Sequence, residues 1–250
     1  MLPNFILQIE LINIFNLLTI FLDLSKYYVR YTSMQSYTEE NYLKVIYHLS
    51  LSNDGLITTN AIAERVQTKA ASVTDMMRKL AEKQLVSYQK YQGVKLTDTG
   101  KAIAIKIVRK HRLWEVFLVD KLHFKWDEVH DIAEELEHIN SSELVERLNE
   151  YLKFPTNDPH GDPIPDKNGK FGNEVFIKLS KLKSEQTGIL MGVSEHSSPF
   201  LRHLEKLELT LGKRIQILDI ISFDGSVELL LDNKKINVSR DVAKHLLVKI

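Results

Sequence analysis

The sequence predicts a mainly α chain with a small β part, in three folded segments behind an N-terminal extension. Three observations carry this. Apolar residues recur at helical spacing over most of 38–152. One glycine-bearing hairpin interrupts that pattern. After a loop rich in proline and glycine, short alternating runs take over.

The extension comes first. Phe5 to Leu24 is rich in Ile, Leu and Phe but carries Gln8, Glu10, Asn13, Asn16 and Asp23. A mid-span acidic residue costs roughly 2.5–3.5 kcal/mol on insertion scales, which argues against a membrane span. There is no basic leader and no small-residue cleavage site. Two readings of residues 1–33 stand. One is an amphipathic helix with a narrow polar stripe. The other, which we favour, is a mis-assigned translation start, with Met34 the true one, because the recognisable pattern begins there.

Residues 34–98 form the next segment. Thr38-Glu39-Glu40 opens a helix with Tyr42, Leu43, Ile46, Tyr47 and Leu49 on one side, and Asn53-Asp54-Gly55 ends it. Thr58-Thr59-Asn60 caps a short helix with Ile62, Ala63 and Val66 inward. Gln67-Thr68-Lys69 turns the chain into a helix over 71–84, with Val73, Met76, Met77 and Leu80 on one face. Residues 85–90, 91–93 and 94–96 read as strand, turn and strand. Short helices with a tight turn, then a hairpin, form a winged helix-turn-helix. Its second helix offers Lys69, Ser72, Thr74, Asp75, Arg78 and Lys79, residue types that contact phosphates and base edges. Lys90 and Lys95 on the wing add phosphate contacts. The plainer alternative is a helical hairpin whose charges are merely solvated.

Residues 99–173 continue in helices. Thr97-Asp98-Thr99-Gly100 caps a long one running to about Leu122, striped by Ile103, Ile107, Trp114, Phe117 and Leu118. Residues 126–139 and 142–152 give two more, and Pro155, Pro159, Gly161, Pro163, Pro165 and Gly169 mark a loop. In residues 174–250, the runs 188–193, 214–220 and 227–231 predict a small β-barrel-like domain.

Composition sorts the possible chemistry. The chain is 44% hydrophobic and 26% charged, so it can bury a core. Its lack of cysteine removes disulfides, thiolate metal sites and cysteine nucleophiles together. The net charge of zero hides two blocks. Thr58 to Arg112 carries twelve Lys/Arg against four Asp/Glu, and Leu113 to Leu152 carries three against eleven. An anion-binding surface beside a cation-binding one is one reading, and two solvated faces of opposite sign is the other.

The acidic block holds the informative constellation. His130, Glu134 and His138 are spaced four apart and share a helical face, with Glu137 beside them. His111 and Glu115 form a second i, i+4 pair on the preceding helix. So many imidazoles and carboxylates facing inward need compensation, which a divalent cation supplies. Nitrogen and oxygen donors without sulfur suit Mn(II), Fe(II), Co(II) or Zn(II), and the extra carboxylates tilt the choice toward Mn(II). A solvated acidic helix with surface histidines is the alternative.

In combination these motifs resemble the DtxR/MntR family of metal-dependent repressors over about Tyr37 to Ile250. The carriers are Glu40-Asn41-Tyr42-Leu43-Lys44, the helix from Ala70 to Leu80, Lys110-His111-Arg112-Leu113 with Glu115, Val129-His130-Asp131 with Glu134, Glu137 and His138, and Pro159-His160-Gly161-Asp162-Pro163-Ile164-Pro165. The tail is similar to the SH3-like, FeoA-type domain of three-domain members. The resemblance implies a cytoplasmic homodimer that binds operator DNA and represses metal-homeostasis genes. It implies one metal site of Asn41, Glu134, Glu137 and His138. A second would use His111, Glu115 and His130 with a ligand from the SH3-like domain, for which Glu195 is the candidate ahead of His196 and Ser198. Glu134 stands where iron-type members carry Cys, which favours manganese over iron. Asn41 stands where manganese-type members carry Asp, and Lys44 where two-domain manganese members carry Glu.

Two other classes compete. A winged-helix regulator indifferent to metal would carry the same reading head. A di-metal carboxylate enzyme typically needs two Glu-x-x-His motifs plus two further glutamates. Only Glu135-Leu136-Glu137-His138 supplies one. No nucleophile elbow, P-loop or dinucleotide fingerprint is present, so the expectation is a non-enzyme.

Overall fold

The computed structural model describes residues 36–52, 57–89 and 92–250. The expectations for residues 1–33, the 53–55 turn and Lys90 lie outside the described residues. The chain divides into two compact units, Met1–Asn41 and Tyr42–Ile250.

In the first unit, Ser36 to Asn41 opens helix α1 (Tyr37–Ser52). The Ser36 hydroxyl accepts from the Glu39 N–H at 3.3 Å, and the Glu39 carboxylate accepts from the Ser36 N–H at 3.1 Å. This reciprocal capping box satisfies two end donors. It puts the cap on Ser36 rather than at the expected Thr38.

In the second unit, α2 (Thr59–Val66) is capped by the Thr58 hydroxyl, which accepts from the Ala61 N–H at 3.1 Å. It ends at Gln67, whose φ of 56° turns the chain sharply into α3 (Ala70–Glu82). Val73, Met77 and Leu80 on α3 are fully buried at i, i+4 and i+7. Strands β1 (Val86–Gln89) and β2 (Gly93–Leu96) pair antiparallel with Val86 opposite Leu96. Ile57 bridges to Val94 and adds a third short rung to this wing.

Helix α4 (Asp98–Leu122) connects the reading head to the helical segment beyond it. Thr97 caps it, and Gly100 lets it pass under the hairpin: a Cβ there would lie 2.0 Å from the Leu85 carbonyl oxygen. Ala104, Ile105 and Val108 share one core with Leu43, Ile46, Ile62, Met77 and Leu80. Farther along, Leu113 and Val116 pack with Val145, Leu148 and Leu152. Helices α5 (Val129–Leu136) and α6 (Ser142–Tyr151) complete the helical part.

The remainder is a six-stranded antiparallel sheet in the order β3-β8-β4-β5-β6-β7. Its strands are β3 (Ile177–Lys178), β4 (Thr187–Val193), β5 (Arg214–Ile220), β6 (Val227–Leu231), β7 (Lys234–Val238) and β8 (Leu246–Lys249). Helices α7 (Ser198–Lys206) and α8 (Arg240–His245) pack Leu201, Leu204 and Ala243 onto the sheet core. The mainly α architecture with a small antiparallel β domain is as the sequence predicts. The three expected β runs correspond to β4, β5 and β6, while β3, β7 and β8 are additions.

Candidate metal centre and nucleic-acid face

On α4, His111 and Glu115 are buried and one turn apart, with the imidazole Nε2 3.0 Å from a Glu115 oxygen. The other ring nitrogen, Nδ1, lies 2.7 Å from the Glu137 carboxylate. One imidazole therefore spans two buried acids. Burial pushes the His111 imidazole down, but hydrogen bonds to Glu115 and Glu137 outweigh it and bring it up to about 9. With a carboxylate facing each ring nitrogen, the arrangement favours the imidazolium, which can donate from both.

Helix α5 carries His130 and Glu134. His130 Nδ1 is 3.7 Å from Glu115 and its Nε2 3.8 Å from Glu134. The sequence places His138 on the same helical face, but α5 ends at Leu136. Glu137 is its C-cap, still bonded through its N–H to the Ala133 carbonyl, and His138 follows in a turn with its Nε2 4.0 Å from a Glu137 oxygen. Glu137 is 0% exposed, and its Oε1 lies 2.7 Å from the Lys44 ammonium. Asn41, in the first unit, has a buried amide oxygen with no hydrogen-bond partner among the described residues.

Lys44 of α1 also reaches this cluster. Its ammonium contacts the Glu134 carboxylate and lies 2.7 Å from that of Glu137. Burial pushes Glu134 up, but the Lys44 charge outweighs it and holds the carboxyl below its usual range.

A second group forms around Glu115. His160, from the proline-rich loop, places Nδ1 3.7 Å from Glu115 and 4.0 Å from Asp158. Its Nε2 is 2.8 Å from the Trp126 carbonyl oxygen, which fixes the ring. Burial and the Glu115 and Asp162 charges push Asp158 up to about 7. Burial pushes His160 down, but the Glu115 carboxylate 3.7 Å away prevails and brings it to about 8. Glu115 itself is pushed up by burial, yet the hydrogen bond from His111 and the nearby His130 and His160 rings hold it well below the carboxylate range. Arg112 secures the loop, 2.9 Å from Asp162 and 3.5 Å from Asp158.

The β domain meets this loop directly. The His196 ring stacks on His160 with centroids 4.8 Å apart. The Val193 N–H donates to the His160 carbonyl at 2.9 Å. Glu195, the ligand expected from this domain, accepts from the Ser197 N–H at 2.9 Å, and Ser198 donates to the Asp127 carbonyl. Three groups among the described residues bring donor atoms within 4.8 Å of one another: His111, Glu115 and His130; His111, Glu134 and Glu137; Glu115, Asp158 and His160. Glu195 is in none of them. Asp158 and His160 escape a sequence pattern because a proline-rich loop has no period to place them.

The donor set fits a divalent cation. It is oxygen and nitrogen without sulfur, and most of it is buried, with His130 exposed and Glu134 partly so.

The nucleic-acid candidates lie on the open side of α3. Lys69, Ser72, Asp75, Arg78 and Lys79 are exposed, and Lys95 is exposed on β2. Arg78 pairs with Asp75 at 3.0 Å, and the Thr74 hydroxyl donates to the Ala70 carbonyl at 3.0 Å. The first pair is solvent-exposed and breaks cheaply when a phosphate competes.

Comparisons with known proteins agree with this layout. Residues 34–94 match the family described as "Iron dependent repressor, N-terminal DNA binding domain". Residues 97–166 match its metal binding and dimerisation domain, and residues 177–250 match the FeoA domain. A solved manganese-dependent transcriptional repressor in complex with manganese is 34% identical, with a TM-score of 0.76, over 84% of this chain and 98% of that one. The diphtheria toxin repressor of Corynebacterium diphtheriae is 28% identical over 218 residues, 82% of this chain and 94% of its own length. The iron-dependent repressor IdeR of Mycobacterium tuberculosis is 37% identical over 129 residues, 51% of this chain and 55% of its own length. The match thus spans a little over half the length of the mycobacterial relatives. A DNA-reading head, a metal and dimerisation domain and a FeoA domain in this order define a class of metal-responsive regulator. The chain belongs to the DtxR/MntR family of metal-dependent repressors.

Proposed function

We propose that this chain is a homodimeric transcriptional repressor whose binding to operator DNA is gated by a divalent metal, and that it controls metal-homeostasis genes. The observation that carries this is the His and Glu cluster on α4 and on α5 and its C-terminal turn, which lies against α1 of the reading head where Lys44 meets its carboxylates. Glu134, Glu137 and His138 would hold one ion. Glu115, Asp158 and His160, with His111 and His130 beside them, would hold a second. A bound ion supplies positive charge that these carboxylates share, which ties the helices bearing them together.

The chain's own residues do the rest. Leu43, Ile46 and Tyr47 of α1 are buried in the reading-head core, so a shift of α1 moves α3 with it. Helices α4 and α6 expose Leu122, Leu144 and Tyr151, an apolar face for the second copy. Fixing α3 relative to that face sets the spacing of two recognition helices for half-sites one or more helical turns apart. Metal favours that arrangement only by its differential affinity for it.

Manganese is the favoured ion, with iron the alternative. Support comes from the absence of cysteine and from relatives whose names specify manganese. A cytoplasmic location follows from the DNA-binding role, and no helix among the described residues is long and apolar enough to cross a membrane.

The test is fluorescence anisotropy of labelled DNA from the gene's own promoter and from metal-transporter promoters. Protein is titrated anaerobically at fixed salt with chelator, Mn(II) or Fe(II), since phosphate contacts make affinity salt-dependent. Binding only with metal is expected, with Mn(II) effective at lower concentration. Tight specific binding in chelator would overturn the gating.

A further inference from the structure

We propose that Lys44 is a built-in cation that occupies the Glu134–Glu137 site in the metal-free protein, and that a divalent ion must displace its ammonium to enter. This rests on the reading of Glu134 and Glu137 as metal-binding residues. Lys44 is only 6% exposed, a rare state for a lysine unless it is paired. Its ammonium contacts Glu134 and lies 2.7 Å from Glu137. These carboxylates also belong, with His111, to a group whose donor atoms come within 4.8 Å of one another. An ammonium and a divalent cation cannot share the same carboxylate oxygens at such distances, because they repel strongly in a buried site.

The consequence is a threshold. Every divalent ion meets the same unit of repulsion, so Lys44 lowers affinity across metals without choosing among them. Weak binders, which include Mn(II), then occupy the site only at high concentration. The same ammonium shares with His111 the charge of the buried Glu137 and pairs with the partly exposed Glu134, so the metal-free fold loses part of its compensation without it.

The first experiment measures Mn(II) affinity of the full chain by competition with a fluorescent chelator. Lys44→Met and Lys44→Gln are compared with wild type, and Glu137→Gln serves as the reference for the site. Lys44→Met is expected to bind Mn(II) at least about tenfold more tightly, since a unit charge a few ångströms from a divalent ion counts for more than a decade even at an interior dielectric near 20. The metal-free melting temperature is expected to fall and the rise on adding Mn(II) to grow. Unchanged or weaker affinity in a folded Lys44 variant, with Glu137→Gln impaired, would overturn the displacement alone. Unchanged affinity in Glu137→Gln would overturn the site and the displacement together.

Wild-type protein gives a measurement that needs no variant to fold. A pulse of amine-acylating reagent followed by peptide mass spectrometry is expected to modify Lys44 faster once Mn(II) is bound. Equal or stronger protection with Mn(II) would overturn the displacement.

Discussion

Raising the pH from 7 to 9 removes about half of the proton that His111 shares between Glu115 and Glu137, and metal binding registers the change. His111 is held up to about 9. At pH 7 a metal that takes an imidazole nitrogen must first expel that proton, about two pH units below its pKa. At about 1.4 kcal/mol per unit this costs about 3 kcal/mol, roughly a hundredfold in affinity. His160, near 8, and Asp158, near 7, add smaller contributions of the same sign. Filling both sites at pH 7 is therefore expected to release roughly two protons, falling below about one at pH 9. Isothermal titration calorimetry with Mn(II), in paired buffers of different ionisation enthalpy, counts them directly. For the metal-free fold, the sign is set by folded pKa values above the unfolded 6.5. The His111 and His160 contribution is fully present below about 6.5 and is lost as pH rises through 8 to 9. No proton release at pH 7, with pH-independent affinity, would refute the imidazolium bridge.

Other expectations are equally open to measurement. Gly161 has a φ of +91°, and a Cβ there would lie 2.1 Å from the Met191 carbonyl oxygen, so Gly161→Ala is expected to cost about 2–4 kcal/mol in denaturant unfolding and to loosen the 158–161 loop. An undiminished midpoint would show that loop and sheet are not in close contact. Asp158→Asn is expected to weaken Mn(II) binding, whereas Glu195→Ala leaves it within about twofold because Glu195 is engaged by Ser197; the reverse ranking in calorimetry would restore Glu195 as a ligand. Lys95→Ala is expected to weaken all DNA sequences alike and to reduce the salt slope by about one. A loss confined to one operator sequence would mean that it reads bases.

Much of this arrangement is legible in the residues, and the failures have physical causes. The i, i+4, i+7 burial of Val73, Met77 and Leu80 is a periodic signal, and so is the Glu115 partner one turn after His111. The end of α5 is not legible, because no glycine or proline directly follows Leu136. Lys44 lies 90 residues from Glu134, and no local pattern joins them. Strand β7 escapes because Lys-Lys-Ile-Asn-Val at a sheet edge is largely exposed. His160 and Asp158 depend on a loop whose path is set by Arg112 and by docking against β4.

The most direct test of the central claim compares wild type with Glu137→Ala for operator binding, each with Mn(II) and with chelator. Wild type is expected to bind only with metal, and Glu137→Ala to remain at the chelator level in both while keeping its fold by circular dichroism. A Glu137→Ala protein that still responds fully to Mn(II) would contradict the account.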